Sequence, residues 1–434
     1  MAEQTVEVVA AVSNRSRSLH RLGVLTGFAA GVWMGAAEAP TKFVTGGFSP
    51  VLLSFAMVSG VFTGRWTIPT LLKGTGYVFH DLREKKHLII WALLGGALWA
   101  VANTLGTVAV RDVGLAIAFP LWNTDALVGL LWGWLFFYEL RGAGVSVLMK
   151  VLGGTAAILV GAIILAYASF LRGAASGHHS WSGILVAIGA AVLWGTMFLP
   201  YRKAYISGMN PLSFVTVFTI GELVTMTTLA LVFEGGPREL AHKIVLARPA
   251  LFWMFLGGFC WVVGDLFAQY AAKYVGIGRA VPLMNTNQIW GLAWGALVFG
   301  EFAGKGTLVR ILVIGGSAVM ILGALAISFA AAPAKEHLSR SLASKRECER
   351  YGMDHTQVEA SLAGDDPLSS RVSSRRWWDF LILILAVGVF VALAKDSTRV
   401  PFPIDLRWVA VMSAAMLISL FGCGYLLWKR TRFS

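Results

Sequence analysis

The sequence predicts an all-α polytopic membrane protein: a ten-helix core of two inverted five-helix repeats, followed by a C-terminal two-helix hairpin. Three observations predict it. Of 434 residues, 57% are apolar and 14% charged, and mean hydropathy is +0.70, whereas soluble domains are about one-quarter charged. Twelve apolar stretches approach the roughly 20 residues that cross hydrocarbon, ten before residue 331 and two after it. Finally, residues 95–139 realign without a gap onto 257–301, an offset of 162, with 19 of 45 positions identical. The matched pairs include Trp99/Trp261, Gly114/Gly276, Pro120/Pro282, Asn123/Asn285, Thr124/Thr286 and Glu139/Glu301. A weaker match joins GAAEAPTK around Pro40 to GTMFLPYRK around Pro200, giving a duplicated unit of roughly 150–160 residues, far longer than a solenoid repeat. Each unit holds five spans, an odd number, so consecutive units enter the membrane in opposite orientation, as in secondary transporters.

The elements follow in order. Residues 1–21 form a polar N-terminal segment with scattered arginines; the first apolar stretch is too long for a signal peptide and lacks a small-residue cleavage site, so none is expected to be removed. Spans one to five, at about 22–40, 50–72, 88–109, 113–138 and 148–171, make the first repeat, 22–171. Spans six to ten, at about 182–202, 211–233, 250–274, 276–300 and 306–330, make the second, 182–330. Residues 331–376 are polar and of mixed charge, the composition of a flexible or weakly helical cytoplasmic linker. Spans at about 378–394 and 407–428 then form an accessory hairpin within 377–434.

Loop charge orients the chain. With the N-terminus in the cytoplasm, 25 Lys/Arg fall inside and 11 outside, as the positive-inside rule asks. Both termini are then cytoplasmic, in a cell inner (plasma) membrane. The loop with Arg238, Lys243 and Arg248 is an exception, since it falls outside. The net charge of +13 resides mostly in loops and tail, so a lipid bilayer is the expected partner and nucleic acid is not. Cys260, Cys348 and Cys423 have neither metal-ligand nor redox spacing and read as inert thiols. His178 and His179 stand without carboxylate or cysteine company, so no metal and no cofactor is expected.

Ionisable groups inside the bilayer cost at least about 2.5–3.5 kcal/mol each by insertion scales, so they normally face a cavity, a partner or an interface. The acidic ones are Glu38, Asp125, Glu222 and Asp265, with Lys42, Arg202, Lys203 and Lys273 near span ends. In span four, FPLWNTDA places Pro120 before Trp122, Asn123, Thr124 and Asp125; span nine repeats this as VPLMNTNQ, with Pro282 before Asn285, Thr286, Asn287 and Gln288. A proline removes a backbone hydrogen bond, and the polar residues beside the loosened turn supply donors and acceptors for a hydroxyl-rich solute. Pro40, Pro120, Pro200 and Pro282 are therefore read as helix breaks. The alternative is that the prolines only kink the helices and the asparagines satisfy freed carbonyls.

Trp99, Asn103 and Thr107 share one helical stripe, as do their counterparts Trp261, Asp265 and Gln269. A tryptophan beside amides and a carboxylate suits a sugar, the ring lying on C–H groups and the polar atoms taking hydroxyls. Packing is the competing role for both tryptophans, and for Trp132 and Trp294 it is the favoured one. Glu38, Asp125 and Asp265 are the candidates to carry a coupling proton; a static pair of Asp265 with Lys273, or Glu38 with Lys42, is the alternative. Glu222 has no repeat partner and ranks below them. Glu139 and Glu301 end spans four and nine beside Arg141 and Lys305 and read as anchors or ion pairs, and GLLWG and GLAWG, at 129–133 and 291–295, as close-packing seams.

Ten core spans in two inverted halves, each ending span four or nine in glutamate, resemble the drug/metabolite transporter superfamily. AEAPTK resembles the Ala-Pro-x-Lys signature of bacterial sugar and rhamnose-proton transporters, and the stretch from Trp261 to Glu301 is similar to the second-half signature of the glucose/ribose porter family. The resemblance covers residues 22–330. It implies uptake of a monosaccharide by alternating access with a proton, through a site between the halves, and carries over to Pro40, Lys42, Pro120, Asn123, Thr124, Asp265, Pro282, Asn285, Thr286 and Gln288. The added linker and hairpin depart from the family pattern. The expected function is thus a sugar transporter energised by the proton gradient, with a homodimer allowed. Export of small metabolites or drugs, or a non-transporting membrane sensor or scaffold, are the alternatives. An enzyme is not expected: no span pairs a nucleophile with a base.

Overall fold

Ser49-Pro50 and Asn210-Pro211 begin two helices alike. Each side chain accepts the amide hydrogen of the residue two or three positions on, and the proline occupies the first helical turn, where its missing N–H costs nothing. The computed structural model describes residues 2–37, 39–44, 48–113, 118, 121–171, 181–300, 306–330, 334–366, 368, 375–397 and 404–434. Their helices are α1 (Ala2–Ala37), α2 (Pro50–Leu72), α3 (Thr75–Glu84), α4 (Ile89–Val113), α5 (Asp125–Phe137), α6 (Val145–Leu171), α7 (Trp181–Ile206) and α8 (Pro211–Phe233). Then follow α9 (Pro237–Val275), α10 (Ile277–Met284), α11 (Asn287–Ala293), which runs into a π-helical turn over Trp294–Val298, and α12 (Thr307–Ser328). Beyond the duplicated region lie α13 (Ala334–Tyr351), α14 (His355–Leu362), α15 (Trp377–Lys395) and α16 (Leu406–Thr431).

Among the described residues, nine helices are long and apolar enough to cross a membrane, which makes this a multi-pass membrane protein. They account for nine of the twelve expected spans. Span one is the second half of the longer α1, and spans four and nine are interrupted. Two stretches outside the expected spans are helical. The polar N-terminal segment continues α1 upstream, and the positively charged stretch before span eight is the first part of the 39-residue α9. Pro237 sits in its first turn and Glu239 near its positive end, so the helix starts well outside the apolar segment.

Duplication is visible in the packing. α1 and α2 both pack on α9, while the corresponding α7 and α8 both pack on α4; α1 also meets α11, as α7 meets α5. Glycines permit the crossed approach. A Cβ on Gly60 or Gly258 would overlap the carbonyl oxygen of Phe255 or Met57, and one on Gly221 or Gly96 that of Leu93 or Phe218. The two crossings are equivalent, and each joins a helix of one half to a helix of the other. α6 and α12 pair separately, through Gly154 and Gly323.

Within the 331–376 linker, expected to be flexible or weakly helical, the described residues include the two helices α13 and α14 and make contacts with the bundle. Lys203 bonds Glu347 at 2.8 Å, Tyr351 stacks on His87 at 3.8 Å, and Lys73 bonds Asp366 at 2.8 Å. Burial, with Asp81 and Asp366 beside it, holds the Tyr77 phenol well above its usual range, so it remains a donor, to Asp366 at 2.8 Å. The last residues complete this cap: Asn210 Nδ2 and Tyr270 donate to the Phe433 carbonyl at 2.7 and 3.1 Å, and Ser434 donates to the Ser361 carbonyl. In the hairpin, α15 lies on α2 and α9, and α16 on α1, where Trp33 donates to Ser419 at 3.1 Å.

Candidate functional site

The two polar breaks meet. Thr124 and Thr286 each turn their hydroxyl back onto a carbonyl three residues earlier, Leu121 at 2.6 Å and Leu283 at 2.8 Å. Such back-bonding competes with the helical ladder, and both helices break there, at Asn123-Thr124 and Asn285-Thr286. The break in the second half therefore falls after Pro282, which lies inside α10, and not at the proline itself. Pro200 does not break its helix either: α7 continues to Ile206 with the proline inside it, facing α4 at Gly95. Pro40 begins a short 3-10 turn directly after α1. Pro120, Glu38, Glu301, His178 and His179 lie outside the described residues.

Asp125 starts α5 and accepts a hydrogen bond from Asn285 Nδ2 at 2.8 Å. One partner comes from each duplicated segment, and both are buried. They touch directly rather than facing each other across an open cavity. Asn123, Thr286 and Gln288 are buried around them, Thr124 and Asn287 half-buried, and Trp122 packs edge-on against Trp194 at 5.5 Å. Trp99 and Trp261 are also brought together, ring centroids 6.2 Å apart and planes inclined by 59°. Trp99 Nε1, Trp261 Nε1, Asn103 Nδ2 and Asn287 Oδ1 are buried with no hydrogen-bond partner in the protein. Each such atom costs about 1–3 kcal/mol, and a polar solute would relieve it.

A second polar cluster rests on a residue the sequence reading passed over. Arg65, wholly buried in α2, donates from Nη1 to Glu222 Oε2 and from Nη2 to Asp265 Oδ2, both at 2.7 Å. Its guanidinium also lies 4.5 Å from the Phe218 ring centre. Gln269 donates to the same Asp265 oxygen at 2.7 Å and accepts from Tyr205. Asp265 is thus paired, but with Arg65; Lys273, two turns along α9, is buried with no hydrogen-bond partner for its ammonium. Glu222, ranked low for want of a repeat partner, is a full member of the cluster. The available signal was Arg65 itself, a charge well inside span two.

Glu139 is an ion-pair residue, as expected, with a different partner. It lies 3.2 Å from Arg202 Nε and accepts from the amides of Ile277 and Gly278 at 3.1 and 2.9 Å, satisfying the free N–H groups that open α10. Arg141 instead covers the Trp134 and Tyr138 rings. Cys260, Cys348 and Cys423 are free thiols, and among the described residues no three His, Cys, Asp or Glu side chains are placed to hold a metal.

Fold and polar interior define the class: a polytopic α-helical membrane protein whose duplicated segments meet at buried polar helix breaks. More particularly, residues 181–323 match the EamA-like transporter family, of the drug/metabolite transporter superfamily. That match points to a membrane transporter of small solutes. No curated protein matches the chain. A solved structure titled "Crystal structure of protein" aligns with 69% of this chain and 97% of its own, at 17% identity and a TM-score of 0.44, a likeness too slight to bear on function.

Proposed function

We propose that this protein is a secondary active transporter that moves a monosaccharide into the cell by alternating access, using the proton gradient across the inner membrane. The observation that carries the reading is the Asp125–Asn285 hydrogen bond, which joins the two duplicated breaks in one buried place. In this reading the unpartnered donors on Trp99, Trp261 and Asn103 also belong to the site, where they suit hydroxyls and a sugar's C–H face. Since the Trp99 ring is 1% exposed, solute entry requires the duplicated segments to part, and their crossed packing gives them surfaces along which to move. The family model matched by residues 181–323 is one of transporters, which favours transport over an enzymatic role.

The test is uptake of labelled pentoses, hexoses and deoxyhexoses into proteoliposomes, with and without an imposed proton gradient. Saturable, gradient-enhanced uptake is expected. Outward flux of amphipathic compounds in its place would establish an exporter, with which the EamA-like match agrees equally. Binding without flux would establish a sensor.

A further inference from the structure

Arg65 serves two carboxylates with one positive charge, and it serves them unequally. Asp265 accepts through Oδ2 from both Arg65 and Gln269. Glu222 accepts through Oε2 from Arg65, and from Thr219 at 3.3 Å, while its Oε1 is buried with no hydrogen-bond partner. The groups that face the cluster come from every helix around it. α2 supplies Arg65; α7 supplies Tyr201 and Tyr205; α8 supplies Thr219; α9 supplies Asp265 and Gln269; and α4 presents Gly96 to the Glu222 amide. None of these adds a second cation. With all three groups ionised, the cluster holds one negative charge too many, in a place where both Arg65 and Glu222 have no exposed surface.

We propose that Glu222 is the proton-binding carboxyl of this protein. One proton passes from a hydronium ion, whose O–H bond breaks to leave water as an O–H bond forms at Oε1, and the cluster passes from a net charge of minus one to neutral. Its carriage as a coupling proton rests on the transporter reading; the binding itself does not. Arg65 reaches from the first duplicated segment to Glu222 and Asp265 in the second. The neutral form therefore keeps α2, α8 and α9 together in a dry interface, and loss of the proton leaves a charge that only water or separation can accommodate.

The experiment is infrared difference spectroscopy of the full-length protein in lipid nanodiscs, titrated with acid and base at fixed ionic strength. A carboxylic C=O band that vanishes as pH rises is expected. Glu222→Gln should remove it, and Asp265→Asn should remove it too, since one carboxylate then remains for one guanidinium. Glu222→Asp should keep a band at a shifted frequency, which a merely structural role would not produce, and it decides the matter should the glutamine variant fail to fold. An undiminished wild-type band in Glu222→Gln, or a band that follows sodium at constant pH, overturns the proposal. Vesicles without solute flux that retain the band would reject transport and leave proton binding standing. Gradient-driven flux with the band unaltered in Glu222→Gln would do the reverse.

Discussion

Arg65 joins two carboxylates from the other duplicated segment, and its removal would leave both of them buried without a counter-charge. Breaking such a pair by deleting one partner costs about 3–5 kcal/mol, whereas replacing the whole set by apolar groups is often neutral. Arg65→Met should therefore lower the thermal unfolding temperature in detergent sharply, and the triple variant with Glu222→Gln and Asp265→Asn should recover most of the loss. Equal instability in the two would dissociate the effect from charge. Asp125 is argued differently, because its partner Asn285 is uncharged. A charged hydrogen bond to solute contributes about 1.5–3 kcal/mol, so Asp125→Ala should raise the solute concentration for half-maximal uptake by roughly tenfold or more. An unchanged uptake curve would remove Asp125 from the site. At this scale the sequence singled out Asn285 and the two tryptophans through their repetition, and Asp125 and Asp265 as charges inside spans. It did not show the role of Arg65, because the partners stand 157 and 200 positions away.

Helices are where repetition was most legible and where it also misled. Nine expected spans recur as continuous apolar helices, since length and hydropathy alone decide whether a segment can satisfy its backbone inside a bilayer. Break positions were harder. A proline announces a missing hydrogen bond, yet Pro200 is carried within α7, and the turn after Pro282 forms where Thr286 captures the Leu283 carbonyl. Tertiary packing accompanies the first outcome and the competition of a neighbouring side chain the second, so the proline alone announces neither. The crossed glycine contacts give a paired prediction. Gly60→Val and Gly221→Val each place side-chain atoms against a backbone carbonyl of the other segment, with an overpacking cost of at least about 1–3 kcal/mol. Both should destabilise the protein to a similar extent in a detergent thermal-shift assay; tolerance of either would refute the close approach at that crossing.

Across the whole molecule, the region after residue 330 closes one end of the bundle. α13, α14 and the tail after α16 cover the turn between α7 and α8, where Ser207 has no exposed surface. A chain truncated after residue 335 should still insert and transport if this region is accessory. Ser207→Cys in that background should react faster with a membrane-impermeant thiol reagent than in the full-length protein. Loss of folded protein on truncation would instead make the hairpin part of the core. Sequence by itself determined the membrane class, the duplication and the polar composition of the repeated segments, because hydropathy, span length and internal identity are properties of consecutive residues. Only the tertiary structure decided that Asp125 pairs with Asn285, that Arg65 divides its charge between Glu222 and Asp265, and that a polar linker folds as a cap. Each of these depends on distant segments meeting in space, and the free energy of a buried charge or amide is set by whichever partner reaches it.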